Sequence, residues 1–207
     1  MFDIIIRGGT VVDGTGAPSH IADVAITDGT IVEVAERIVG EAHEEIDAHG
    51  KLVTPGFIDI HTHFDPQLCW DGLATPSLEH GVTTVFIGNC SLSLAPVRPG
   101  AEGKLVNMFQ VIEDIKKRTF DAAVPFSWET FPEYLDFIRP TLGINVAALI
   151  GHSALRYYVM GAASQERTAT DEEIAAMCQL VEEAMAAGAG PLERAAERTA
   201  RLVSLGA

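Results

Sequence analysis

The sequence has 207 residues, of which 47% are hydrophobic and 21% are charged, so it can form a buried core and does not have the composition of a disordered chain. Its 29 acidic residues outnumber the 14 lysines and arginines, and the resulting net charge of −15 repels phosphate backbones and anionic lipids. Nucleic acids and membranes are therefore not expected as partners.

The start of the chain and its cysteines both bear on the cellular compartment. Asp3 and Arg7 lie within a short apolar run, whereas a signal peptide has a basic segment before a longer apolar one. No apolar run approaches the roughly 20 residues that cross a bilayer. The three cysteines are an odd number in separate contexts, which does not favour a disulfide framework. We expect a cytoplasmic protein.

Short β-branched runs alternate with turns in the first part of the chain. Glycine pairs and Asp-Gly steps separate the runs, because glycine accepts a positive φ and Asp-Gly favours hairpin turns. A module of about 50 residues rarely has a core that stabilises it alone, so we expect it to pack on another part of the protein. Small antiparallel strands are predicted at residues 4–6, 11–12, 21–26, 31–34 and 45–47.

After Pro55-Gly56 the pattern changes to apolar strands followed by helical stretches, which is typical of parallel βαβ units. Thr170 and Glu173 have the spacing of a capping box and predict a helix over residues 171–187. Strands are predicted at residues 57–60, 82–87 and 144–150, a second helix at residues 105–117, and a short helix near Tyr134.

His61 and His63 directly follow the first of these strands, in the segment TPGFIDIHTH. We predict that this strand is buried and that alternation places both imidazoles on one of its faces. At the C-terminal end of a barrel strand that face points into the mouth, where (β/α)8 enzymes have their active sites. Two imidazoles can bind one divalent ion, most often Zn²⁺. The alternative is a pair of incidental polar residues where a strand leaves the core.

Three motifs in order resemble a known family. The segment PGFIDIHTH, after an N-terminal strand module, is similar to the amidohydrolase superfamily. HGVTTV followed by GNCS and LAP, and then GHSALR, resemble the N-acyl-D-amino-acid deacylase branch, and the likeness covers residues 2–188. The resemblance implies a metal-dependent barrel enzyme that hydrolyses N-acyl-D-amino acids to a D-amino acid and a carboxylate, with one or two zinc ions.

The resemblance also assigns Cys90 as a metal ligand beside His61 and His63. In this branch a cysteine after the second barrel strand serves where most of the superfamily uses a carboxylated lysine. A thiolate is a strong zinc ligand, and the metal lowers the pKa of the thiol. A lone cysteine is otherwise a small buried hydrophobe, and that is the role expected for Cys69 and Cys178.

Three further residues are candidates for the surroundings of the substrate or the metal. His152 follows the strand at residues 144–150 and should lie near the barrel mouth, as part of the wall or as a structural residue. Asp65 could orient a metal-bound histidine or cap a loop. Arg156 could bind a substrate carboxylate or form a surface salt bridge. The other histidines need only solvated structural roles: His20, His43, His49 and His80.

The predicted fold class is α/β. A small, partial β-sandwich module is expected at residues 1–54, the first part of a truncated (β/α)8 barrel at 55–189, and a divergent helix or tail at 190–207. A complete barrel takes about 250 residues. The later histidine ligands and the general-base aspartate of the family have no counterpart here, so no catalytic residue is assigned. We expect an early stop or an incomplete gene model.

Three functions stay open at this point. The first is deacylation of a small-molecule N-acyl-D-amino acid. The second is hydrolysis of a cyclic amide such as a hydantoin, against which Cys90 argues. The third is a catalytically inactive metal-binding fragment, alone, completed by another chain, or assembled as a homo-oligomer.

Overall fold

The computed structural model describes residues 1–189, and they form two compact units that divide after Gly56. The helix or tail predicted at residues 190–207 lies outside the described residues. Within the described part of the chain, no helix combines the length and the apolar composition that a membrane crossing needs.

The first unit contains one five-stranded sheet. Its strand order is β3-β2-β1-β4, and β5 pairs with β1 beyond the end of β4. The antiparallel prediction is confirmed for the first three strands. It is wrong for β4 and β5, which run parallel to β1 because the chain crosses from β3 to the opposite edge of β1. The strands are β1 (Phe2–Val11), β2 (His20–Thr27), β3 (Thr30–Ala35), β4 (Ala42–Asp47) and β5 (Leu52–Val53).

Both faces of this sheet carry apolar clusters. Ile5 pairs with Ala25 and belongs to one cluster, while the next residue along β1, Ile6, pairs with Val24 and belongs to the other. This is the alternation that a pleated strand imposes. The described residues of the unit form a single sheet, whereas a complete β-sandwich has two facing sheets, so the partial sandwich stays a prediction. The separate runs predicted at 4–6 and 11–12 are one strand, bulged near Gly8.

Asp23 is the main buried polar group of the first unit. Its carboxylate accepts hydrogen bonds from the amides of Gly8 (2.8 Å) and Ile38 (3.1 Å) and from the Arg7 guanidinium (3.0 Å). Burial alone raises the pKa of Asp23, but these hydrogen bonds outweigh burial and hold the pKa below its ordinary value. The folded first unit therefore favours the ionised form of Asp23.

The second unit contains a three-stranded parallel sheet of order β6-β7-β8. Its strands are β6 (Phe57–Asp59), β7 (Val82–Ile87) and β8 (Asn145–Ala148), so all three predicted strands are confirmed. The central strand β7 is buried from Thr84 onward. The prediction that the first strand is buried is wrong: Phe57 is 60% exposed, because β6 is hydrogen-bonded to β7 alone among the described residues.

Among residues 57–189, five α-helices accompany this sheet. The predicted capping box is confirmed at Thr170 and Glu173, and a second box that was not predicted opens α3 at Thr130. A helix was predicted at residues 105–117, and its predicted end is wrong. Asp114 adopts a left-handed φ of 52° and ends α1. The helices are α1 (Glu102–Glu113), α2 (Lys117–Ala123), α3 (Phe131–Ile138), α4 (His152–Met160) and α5 (Asp171–Ala186).

The core of the second unit lies around β7 and the faces of α1 and α3. Its fully buried side chains include both aliphatic and aromatic residues of distant segments: Leu68, Val85, Ile87, Leu94, Phe109, Phe120, Tyr134 and Ile138. This packing holds the segments that follow β6 and β7 in place.

Candidate metal centre

Three potential metal ligands meet beyond the C-terminal ends of β6 and β7. Because these strands are parallel neighbours, the segments that follow them leave the sheet at the same edge. His61 and His63 follow β6, and Cys90 follows β7. One potential ligand atom from each of these residues lies within 4.8 Å of the other two. The Cys90 Sγ is 3.2 Å from His63 Nε2, and the two imidazole centroids are 5.4 Å apart.

Strand alternation does not produce this convergence, because β6 ends at Asp59, before either histidine. The link is Thr62, whose amide and hydroxyl both donate to the carbonyl of Phe86, at 3.0 and 2.7 Å. Thr62 is buried, and its two neighbours in sequence are the candidate ligands. The buried hydrogen bonds of Thr62 therefore fasten the histidine segment to β7.

Asn89 and Gly88 hold the segment that carries Cys90. The Asn89 side-chain amide donates to the carbonyl of Ile60 at 2.7 Å. This second hydrogen bond joins the segment after β7 to the segment after β6. Gly88 has a φ of 79°, and a Cβ there would stand 2.0 Å from the carbonyl oxygen of Leu149. Sequence reasoning missed the roles of Thr62 and Asn89. Each is a hydrogen-bonding residue directly beside a candidate ligand, and that adjacency could have indicated its role.

Asp65 follows the second candidate histidine by two residues. It is buried, and neither carboxyl oxygen has a hydrogen-bond partner among the described residues. Burial raises the pKa of Asp65 to about 8, although the amides of Asp65 itself and Gly88 act in the opposite direction. The suggested roles of Asp65 in orienting a metal-bound histidine or capping a loop stay predictions.

The main chain of Asp65 is anchored by two side chains. The Tyr134 hydroxyl donates to its carbonyl at 2.9 Å, and the Cys69 thiol lies 3.7 Å from the same oxygen. Burial, reinforced by the Asp65 carboxylate, raises the pKa of Cys69 to about 12. Cys69 therefore stays a neutral thiol, which agrees with its predicted structural role.

Glu113, which sequence reasoning missed, lies near one member of the cluster, His63. Its Oε1 lies 3.5 Å from His63 Nε2, and the side chains of Glu113 and His63 are 30% and 18% exposed. No local motif pointed to it, since Glu113 stands at the end of α1 and far from either histidine in sequence.

His152 and Arg156 lie on α4, outside the three-residue cluster. His152 is the exposed first residue of the helix and lines a cavity of about 320 Å³ together with Asn89 and Ser91. Arg156 donates to the carbonyls of Ser164 (2.8 Å) and Arg167 (3.1 Å), so it fastens α4 to the segment before α5. The predicted surface salt bridge of Arg156 is wrong within the described residues, because the guanidinium bonds main-chain oxygens.

A model described as the amidohydrolase family matches residues 44–205. The chain belongs to this family. It is 40% identical to D-aminoacylase of Alcaligenes xylosoxydans xylosoxydans over 189 residues, which are 91% of this chain and 36% of the relative. It is 37% identical to N-acyl-D-aspartate deacylase of the same organism, over 90% of this chain and 35% of the relative. This amidohydrolase chain thus spans about a third of the length of the curated relatives it matches.

Solved structures show the same likeness. A D-aminoacylase structure, described with a binuclear metal centre, matches with a TM-score of 0.75 at 39% identity, over 91% of this chain and 37% of the other. N-acyl-D-glutamate deacylase from Bordetella bronchiseptica, complexed with zinc and a phosphonate inhibitor, matches with a TM-score of 0.66 at 33% identity, over 88% and 36%. The predicted α/β class and the resemblance to the deacylase branch are confirmed.

Proposed function

We propose that His61, His63 and Cys90 bind a divalent metal ion, zinc foremost, and that this chain is part of a metal-dependent amide hydrolase. The observation that carries the proposal is the convergence of three ligand-type atoms at one edge of a parallel sheet. Imidazole and thiolate together form a donor set that suits Zn²⁺. Two relatives add support, one described with a binuclear metal centre and one complexed with zinc.

The residues of the proposed site have distinct roles. His61 and His63 donate a lone pair from a neutral imidazole, and Cys90 donates as a thiolate after losing its proton. Thr62 and Asn89 keep the two ligand-bearing segments at a fixed separation through their bonds to Phe86 and Ile60. A bound zinc ion would polarise an amide carbonyl and lower the pKa of water.

For the complete protein we infer N-acyl-D-amino acids as the substrate class. Hydrolysis of their amide bond releases a carboxylate and a D-amino acid. The identities of 40% and 37% to D-aminoacylase and N-acyl-D-aspartate deacylase support this class. A cyclic-amide substrate has less support, because Cys90 stands where the resemblance assigns a cysteine ligand to the deacylases.

For the isolated chain we propose metal binding without turnover. The described sheet has three parallel strands, whereas a (β/α)8 barrel has eight. We take β6, β7 and β8 as the first strands of such a barrel. The general base and later histidine ligands implied by the resemblance have no counterpart here, so proton transfer has no assigned residue. Turnover would require further strands beside β8.

Metal analysis and amidase assays on the same preparation test these proposals. We expect about one zinc per chain by elemental analysis, lost in Cys90→Ser and His63→Ala and retained in the control Cys178→Ser, since Cys178 is exposed on α5. Amine release from N-acetyl-D-amino acids should stay at background. Absence of bound metal would refute the site, and D-selective turnover lost with Cys90 would refute inactivity of the isolated chain.

A further inference from the structure

The chain makes a tight turn around the candidate ligand Cys90. The amide of Ser91 donates to the carbonyl of Gly88 at 3.3 Å, and Ser91 has a φ of 75°. This left-handed conformation is uncommon for residues other than glycine, and it persists only where the surrounding structure enforces it. The turn therefore needs contacts from outside its own four residues.

The segment Gly151–Ser153, which begins the GHSALR motif, supplies those contacts. The Ser153 amide donates to the carbonyl of Ser91 at 3.2 Å. A Cβ at Gly151 would stand 2.5 Å from the Ser91 carbonyl oxygen and 2.9 Å from the Ser93 amide nitrogen, both too close for any side chain. The φ of Gly151 is −71°, which any residue adopts. Glycine is therefore needed here for close approach of the two segments and not for its backbone conformation.

Ser93 ties the same two segments together through its side chain. It is buried, with 1% of its surface exposed. Its hydroxyl donates to the carbonyl of Ala95 and accepts a hydrogen bond from the amide of Gly151 at 3.4 Å. The chain after Cys90 is thus held to Gly151 by a side-chain hydrogen bond as well as by main-chain contact.

Cys90 therefore lies between two anchored positions. Before it, the Asn89 side chain donates to the carbonyl of Ile60. After it, Ser91 is held by the segment that follows β8. A cysteine side chain has a single rotatable bond before its sulfur, so the position of Sγ follows the backbone closely. The backbone between the two anchors thus sets where the Cys90 Sγ lies relative to His63, whose Nε2 is 3.2 Å away.

We propose that Gly151–Ser153 and Ser93 form a positioning element that aims the Cys90 thiolate at the metal ion, an inference that rests on the metal site proposed above. These residues act through the backbone of Ser91 and not as ligands. Residues that orient a metal ligand contribute about 10- to 100-fold to metal affinity. The proposal gives the GHSALR motif a role in metal binding that does not depend on the His152 side chain.

The test compares Gly151→Ala with the wild-type chain by competition with a chromogenic zinc chelator. The added Cβ has to displace the Ser91 carbonyl, so zinc affinity should fall about 10- to 100-fold. The matched control Gly103→Ala places the same group on α1 in open space and should leave the affinity unchanged. In the cobalt-substituted protein, Gly151→Ala should weaken the charge-transfer band from the Cys90 thiolate, which a loss of overall stability alone would not change.

Ser93→Ala covers the case in which Gly151→Ala does not fold, as judged by circular dichroism. It removes one hydroxyl and should also weaken zinc affinity, whereas Ser127→Ala, at an exposed serine, should not. Unchanged affinity and an unchanged cobalt spectrum in the folded variants would overturn this inference alone, even if their urea midpoints fall. A wild-type chain that binds no zinc would overturn the underlying site as well, so the two failures are distinguishable.

Discussion

The Tyr134 hydroxyl donates a hydrogen bond of 2.9 Å to the main-chain oxygen of Asp65, 69 residues earlier in the chain. Both residues are buried, so Tyr134→Phe leaves that carbonyl without its phenolic donor. We expect the free energy of unfolding to fall by about 1–3 kcal/mol, as measured by urea denaturation. Tyr157→Phe, on α4, removes a hydroxyl that has no hydrogen-bond partner among the described residues and is the control. Equal stabilities of the two variants would contradict the expected role of Tyr134.

The buried Asp65 carboxyl predicts stability that falls as pH rises. The raised pKa, about 8, means that the folded chain keeps a proton that the unfolded chain releases near pH 4. The stabilising contribution is therefore fully present below about pH 4 and is lost as pH rises through about 8, with a slope of at most about 1.4 kcal/mol per pH unit. Asp65→Asn should lack this slope when both proteins are unfolded by urea with a chelator present. Parallel pH profiles would refute the prediction.

The three cysteines should differ in reactivity towards iodoacetamide. Cys69, whose pKa is raised to about 12, should be alkylated last in the folded protein, because the thiolate is the reactive form. Exposed Cys178 should react readily, and Cys90 should react without zinc and be protected by it. Peptide mapping by mass spectrometry after timed alkylation measures all three. In urea the differences should vanish, and rapid native labelling of Cys69 would count against its burial.

The lowered pKa of Asp23 predicts that the stability of the first unit falls as pH falls, the opposite of the dependence expected from Asp65. The depressed pKa means that the contribution of Asp23 is present above the ordinary aspartate value of about 4 and is lost as pH falls further. Asp23→Asn should therefore be less stable than wild type at pH 7, by about 1–3 kcal/mol, with the gap closing in acid. Asp28→Asn is the control, because Asp28 is exposed and asparagine tolerates its φ of 50°. A gap that does not change with pH would disprove the role of the Asp23 charge.

Local sequence patterns determined much of the second unit. The apolar run from Val82 to Ile87 matches β7, and the capping residues Thr170 and Glu173 open α5 as predicted. These features depend on neighbours within a few residues, which is why they can be read locally. The motifs around His61, His63 and Cys90 named the candidate ligands for the same reason.

Contacts between distant segments decided the rest. Asp114 ends α1 within a stretch whose composition favours a helix, and β4 pairs parallel with β1 because of the path of the connection. Thr62 and Asn89 fasten the candidate ligands through carbonyl groups that carry no side-chain signature in the sequence. Glu113 comes near His63 for a similar reason: α1 places its Oε1 3.5 Å from His63 Nε2 across a long sequence separation. Residue type thus identifies a possible ligand, whereas only the folded path of the chain decides which ligands meet.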